Sequence, residues 1–111
     1  MLIDGDSAYN NLIKAGKEWS KAEYEASLLE NNKHSILAEV IQEIIAADPK
    51  TSFAKAENEA KASPAYQRHI AGMVAARHKA NDAKVKYNAT QELLDVRKCN
   101  AATERVEAKL V

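Results

Sequence analysis

The chain has 111 residues, 16 basic and 16 acidic side chains, and few glycines, prolines or aromatic residues. This length suits one domain, and a composition rich in Ala, Glu, Lys and Leu favours helices and excludes a β-rich fold. The single cysteine, Cys99, excludes an intrachain disulfide, which fits a reducing compartment. The sequence begins without a secretory signal, and no apolar stretch approaches the roughly 20 residues that span a bilayer. We therefore expect a cytoplasmic protein with no membrane contact.

Only two prolines interrupt the chain, and each follows a residue type that caps helices, at Asp48-Pro49 and Ser63-Pro64. A capping residue followed by proline at the first helical position marks the start of a helix. The pattern predicts a long helix over about 6–47, a short helix over 49–62 and a second long helix over 64–110. We therefore predict a single helical domain, 1–111, with an all-α fold: an elongated, coiled-coil-like antiparallel helical hairpin with a short elbow helix.

The first long helix carries apolar residues at alternating three- and four-residue steps, which is the pattern of a heptad seam. The seam is Leu12, Ala15, Trp19, Ala22, Ala26, Leu29, Lys33, Ile36 and Val40. Its apolar face widens at the end to include Ile41, Ile44 and Ile45, so we expect the centre of the fold there. On the short helix, Phe53 shares a face with Ala56 and Ala60, and we expect Phe53 to fill the bend.

The last helix has its own seam, running from Tyr66 through Met73, Tyr87 and Leu94 toward Arg97. Three valines, Val74, Val85 and Val96, recur at eleven-residue intervals, a period that favours a nearly straight helix. The two patterns together indicate an apolar stripe wider than one partner helix needs. We therefore expect self-association through this helix, and a homo-oligomer is possible.

Charge is divided along the chain, although the total is zero. Residues 1–50 carry a net charge of −4, and residues 64–111 carry +4. We interpret this as an acidic helix packed against a basic one within the hairpin, since opposite charges set the orientation of paired helices. A nucleic-acid surface on the basic last helix is the weaker interpretation, because a neutral chain has no long-range attraction to phosphate.

No group of residues indicates catalysis or metal binding. Glu30 and His34 share a helix face, but a metal site in a helical bundle needs several ligands from facing helices. We interpret the histidines as surface residues and the Glu39–Glu43 pair as solvated. Cys99 lacks an evident histidine partner to activate it. We therefore expect no enzymatic activity, no metal and no cofactor.

Three segments resemble small helical proteins encoded by tailed bacteriophages. They are WSKAEYEA (19–26), AENEAKASPAY (56–66) and RKCNAATER (97–105). In those proteins a Glu-x-Glu-Ala-x-Ala-x-Pro-x-Tyr motif is followed by Leu-x-Gly-Leu, where this chain has Ile70-Ala-Gly72-Met73. This chain lacks the tryptophan often found before the final arginine, where Asp95 and Val96 stand. Such genes often lie near phage recombination and single-strand-binding genes, so the resemblance implies a setting in a bacterial host.

The sequence thus predicts a non-enzymatic protein–protein interaction protein, of phage or prophage origin, with a host or phage protein as its partner. It would act on DNA recombination, replication or defence machinery, for example as an inhibitor of host defence. The predicted partner surface is Val74, Arg77, Lys84, Val85, Val96, Arg97 and Arg105. The alternative is a nucleic-acid-binding accessory that uses the basic last helix.

Overall fold

The structure, a computed structural model, describes residues 3–110, with side chains from Ser7 to Lys109. It contains three helices: α1 (Ile3–Ala47), α2 (Phe53–Ala62) and α3 (Pro64–Leu110). No strand occurs within the described range. These helices confirm the prediction of an all-α hairpin with a short elbow helix. The first helix begins at Ile3, whereas the sequence predicts a start near residue 6.

The chain divides into two compact units, each of which contains part of both long helices. Unit 1 combines α1 up to Lys21 with α3 from Ala80, and unit 2 runs from Ala22 to Lys79. In unit 1, Tyr9 lies beside Lys98 and Trp19 beside Tyr87, so the contact positions run in opposite directions along the two helices. The packing of the long helices in unit 1 is therefore antiparallel.

Unit 2 contains the elbow, which the sequence places a few residues too early. Asp48 does not begin a helix: its carboxylate accepts a hydrogen bond from the Lys50 N–H at 3.2 Å, and its carbonyl accepts one from Thr51 at 3.0 Å. A side-chain bond to the backbone two residues on stabilises a turn. Ser52 instead caps α2, with its hydroxyl accepting from the Lys55 N–H at 3.2 Å. The short helix therefore begins at Phe53, four residues after Pro49.

Ser63 joins the short helix to the last one. Its hydroxyl donates to the Ala60 carbonyl at 2.6 Å, in the final turn of α2, and accepts from the Tyr66 N–H at 3.2 Å, in the first turn of α3. Pro64 follows at the first helical position, where its missing N–H costs nothing. One side chain thus caps the end of α2 and the start of α3, and the short connection keeps Tyr66 in the bend.

The buried residues of the hairpin are mostly alanines. They are Ala8, Ala15, Ala22, Ala26, Val40, Ile41, Ala56, Ala60, Tyr66, Ala80 and Leu94. None of the larger side chains in the described part of the chain is fully buried. Small residues let helix axes approach closely, so the larger seam residues such as Trp19 and Tyr87 lie half-buried at the margins.

The most apolar cluster lies in unit 2, where α2 packs on the end of α1. Val40 and Ile41 pack against Ala56 and Ala60, and Leu37, Ile44 and Ile45 border them. The predicted role of Phe53 is wrong, because its side chain is 63% exposed. Helical side chains point back toward the N-terminus, so Phe53, as the first residue of α2, projects beyond the helix start. Tyr66 is the aromatic residue buried near the bend.

Ala60→Leu should destabilise the hairpin, because a larger side chain at a fully buried alanine forces α1 and α2 apart. Overpacking of this kind costs about 1–3 kcal/mol of unfolding free energy. Urea unfolding followed by the helical circular dichroism signal measures this loss. The control is Ala54→Leu, at an exposed position of the same helix, which should change stability by no more than about 0.5 kcal/mol. Equal effects at both positions would contradict close packing at Ala60.

Candidate interaction surface

Large apolar side chains are exposed on the outer faces of both long helices. The three predicted valines all lie in this class: Val74 is 60% exposed, Val85 66% and Val96 55%. They do not widen the seam. Val85 is two residues from Tyr87, a seam residue, which places the two side chains roughly 200° apart around the helix. The valine side chains are therefore accessible to a partner.

Unit 2 also has an exposed apolar pair that lies outside the predicted partner surface. Tyr24 is 67% exposed, and Leu28 is exposed one turn further along α1. Residues four apart lie on the same helix face, so these side chains form one continuous patch. The signal that could have found them was available, since both are large apolar residues that fall outside the heptad seam.

Arg77 was expected to be an exposed residue of the partner surface, but it is bound within its own hairpin. Its Nε and Nη2 atoms donate to the two carboxylate oxygens of Glu30, at 2.8 and 2.6 Å, and Nη1 donates to Glu23 at 2.6 Å. The side chain is only 32% exposed. A fork of donors matches a carboxylate in both distance and direction. The guanidinium therefore connects α3 to α1 and is not a free cation.

The pairing changes the titration of both partners. The hydrogen bond from Arg77 holds the pKa of Glu30 below its usual range, against a smaller opposing effect of desolvation. The hydrogen bonds to Glu30 and Glu23 raise the pKa of Arg77. Exposed ion pairs add little stability, but a specific interhelical pair can fix the register of two helices. We therefore interpret the Glu23–Arg77–Glu30 group as one that fixes the register of α1 and α3 in unit 2.

Lys84, another predicted partner residue, lies over an aromatic cluster in unit 1. Its ammonium nitrogen is 5.9 Å from the centre of the Trp19 ring, within reach of a cation–π attraction. Trp19 packs against Tyr87 with ring centres 5.3 Å apart. Gly16 makes room for this pair, because a Cβ there would lie 3.3 Å from the Tyr87 ring. Lys84 is thus exposed, but its ammonium group already contacts an aromatic ring of its own chain.

The remaining predicted cations, Arg97 and Arg105, lie near the end of α3. Both are exposed, as are all described side chains from Asp95 to Lys109. The Nε atom of Arg105 donates to the Ala101 carbonyl at 3.4 Å, which leaves the remainder of the guanidinium in solvent. These two arginines keep the accessibility that the sequence predicts for them.

The histidines and the cysteine form no recognisable chemical centre. Among the described residues, no group of three or more His, Cys, Asp or Glu side chains is placed to hold a metal ion. Glu30, which shares a helix face with His34, binds Arg77. His69, predicted to be a surface residue, is half-buried, with its Nε2 atom 2.8 Å from the Leu29 carbonyl across the hairpin. Cys99 is an exposed free thiol.

Comparison with protein-family models, curated proteins and solved structures finds no match to this chain. The resemblance to phage proteins therefore stays a prediction. Within the described residues, no helix has a run of apolar residues sufficient to cross a membrane.

The ion pair between Arg77 and Glu30 gives a pH-dependent stability. Folding lowers the pKa of Glu30. The ionised Glu30 carboxylate therefore stabilises the folded state fully above the ordinary glutamate pKa of about 4.3, and this stabilisation is lost as pH falls through the lowered pKa. Glu30→Gln should therefore be less stable than the parent at neutral pH, and this difference should shrink in acid. Urea unfolding measured from about pH 7 to about pH 3 tests this.

The control for that series is Glu39→Gln, an exposed glutamate further along α1. Its stability relative to the parent should change little across the same pH range. A difference between Glu30→Gln and the parent that stays constant down to the lowest pH would rule out the proposed origin of the effect.

Proposed function

We propose that this chain is a non-enzymatic helical protein–protein interaction protein. The observation that carries the proposal is the distribution of apolar side chains: alanines close the seam, while Tyr24, Leu28 and Val74 in unit 2 are exposed. Exposed apolar groups on a rigid helix are the kind of surface that helix-binding partners recognise through anchors three or four residues apart. The partner would be a host or phage protein that offers an apolar groove.

The proposed setting is a phage or prophage protein that acts in the cytoplasm of a bacterial host. The resemblance of residues 19–26, 56–66 and 97–105 to small phage proteins supports it. On that basis the partner would belong to DNA recombination, replication or defence machinery. One specific possibility is inhibition of a host-defence protein by occupation of its apolar groove.

A nucleic-acid-binding accessory is the second candidate, and the basic last helix is the feature that favours it. Several of the required cations have partners inside the chain. Arg77 is bound by Glu23 and Glu30, and Lys86 lies 3.2 Å from a Glu18 carboxylate oxygen. A cation that is already paired releases fewer counterions when it meets phosphate. The pairing therefore supports the protein–protein proposal over this alternative.

The proposal predicts that capture of a bacterial partner depends on the Tyr24 and Leu28 patch. The purified chain, immobilised, should retain a defined protein from bacterial host lysate, and Tyr24→Glu/Leu28→Glu should lose it, because two buried charges oppose docking. The matched control is Asn32→Glu/Ser35→Glu, which adds the same charge at exposed positions of the same helix and should retain the protein. Equal retention by both variants would contradict this surface.

Binding to labelled single- and double-stranded DNA over a range of salt concentrations separates the second candidate. The proposal predicts no binding even at low salt, where contacts to phosphate are strongest. Binding that weakens steeply as salt rises, and that is reduced by Arg97→Gln/Arg105→Gln, would favour the nucleic-acid accessory instead.

A further inference from the structure

We draw no further inference here: the strongest candidate, the exposed apolar patch of Val85, Leu93 and Val96 on α3 in unit 1, carries none because nothing in the structure shows what covers it.

Discussion

The close packing of α1 against α2 and α3 depends on alanine. Ala22, Ala26 and Ala60 are at most 4% exposed, whereas the larger side chains of the core keep 6–9% of their surface exposed. A methyl group occupies little space, so the helix axes approach closely and the larger side chains are displaced to the margins of the seam. The hairpin therefore has a thin core that buries little apolar area per residue. Both the stability of the fold and the exposure of its outer faces follow from this choice of residue.

A seam of alanines specifies register poorly, because one methyl group fits against another after a shift along the helix. Polar contacts across the hairpin supply the missing information. The guanidinium of Arg77 binds Glu30 through two nitrogens and Glu23 through a third, and His69 contacts the Leu29 carbonyl. Bonds of this kind have strict distances and directions. They fix which residue of α3 lies beside which residue of α1 in unit 2.

The same contacts change the interpretation of the charges. Arg77 and Lys86 face carboxylates of their own chain, so part of the basic character of α3 is used internally. Exposed apolar side chains also remain on both long helices, among them Tyr24 and Leu28 on α1 and Val85 and Leu93 on α3. These exposed apolar side chains are the basis of the proposed protein–protein interaction.

The sequence by itself determined that there are two long helices and a short one, the start of α3 and the seam of α1, because these depend on neighbours in the chain. The three- and four-residue spacing places the predicted seam residues of α1, from Leu12 to Val40, at buried or half-buried positions. Ser63 and Pro64 mark the start of α3 through hydrogen bonds within a few residues. The division of charge likewise anticipated that acidic and basic helices would face each other.

Only the tertiary structure decided which individual side chains face outward and which bind across the hairpin. Phe53 shares a helix face with Ala56, yet it projects past the end of the short helix and stays exposed. Arg77 looks like any surface arginine in the sequence, and its role depends on two glutamates 47 and 54 residues away. Helical periodicity gives the direction of a side chain around one axis. The distance to the next helix, which decides burial and pairing, is set by packing between residues far apart in the chain.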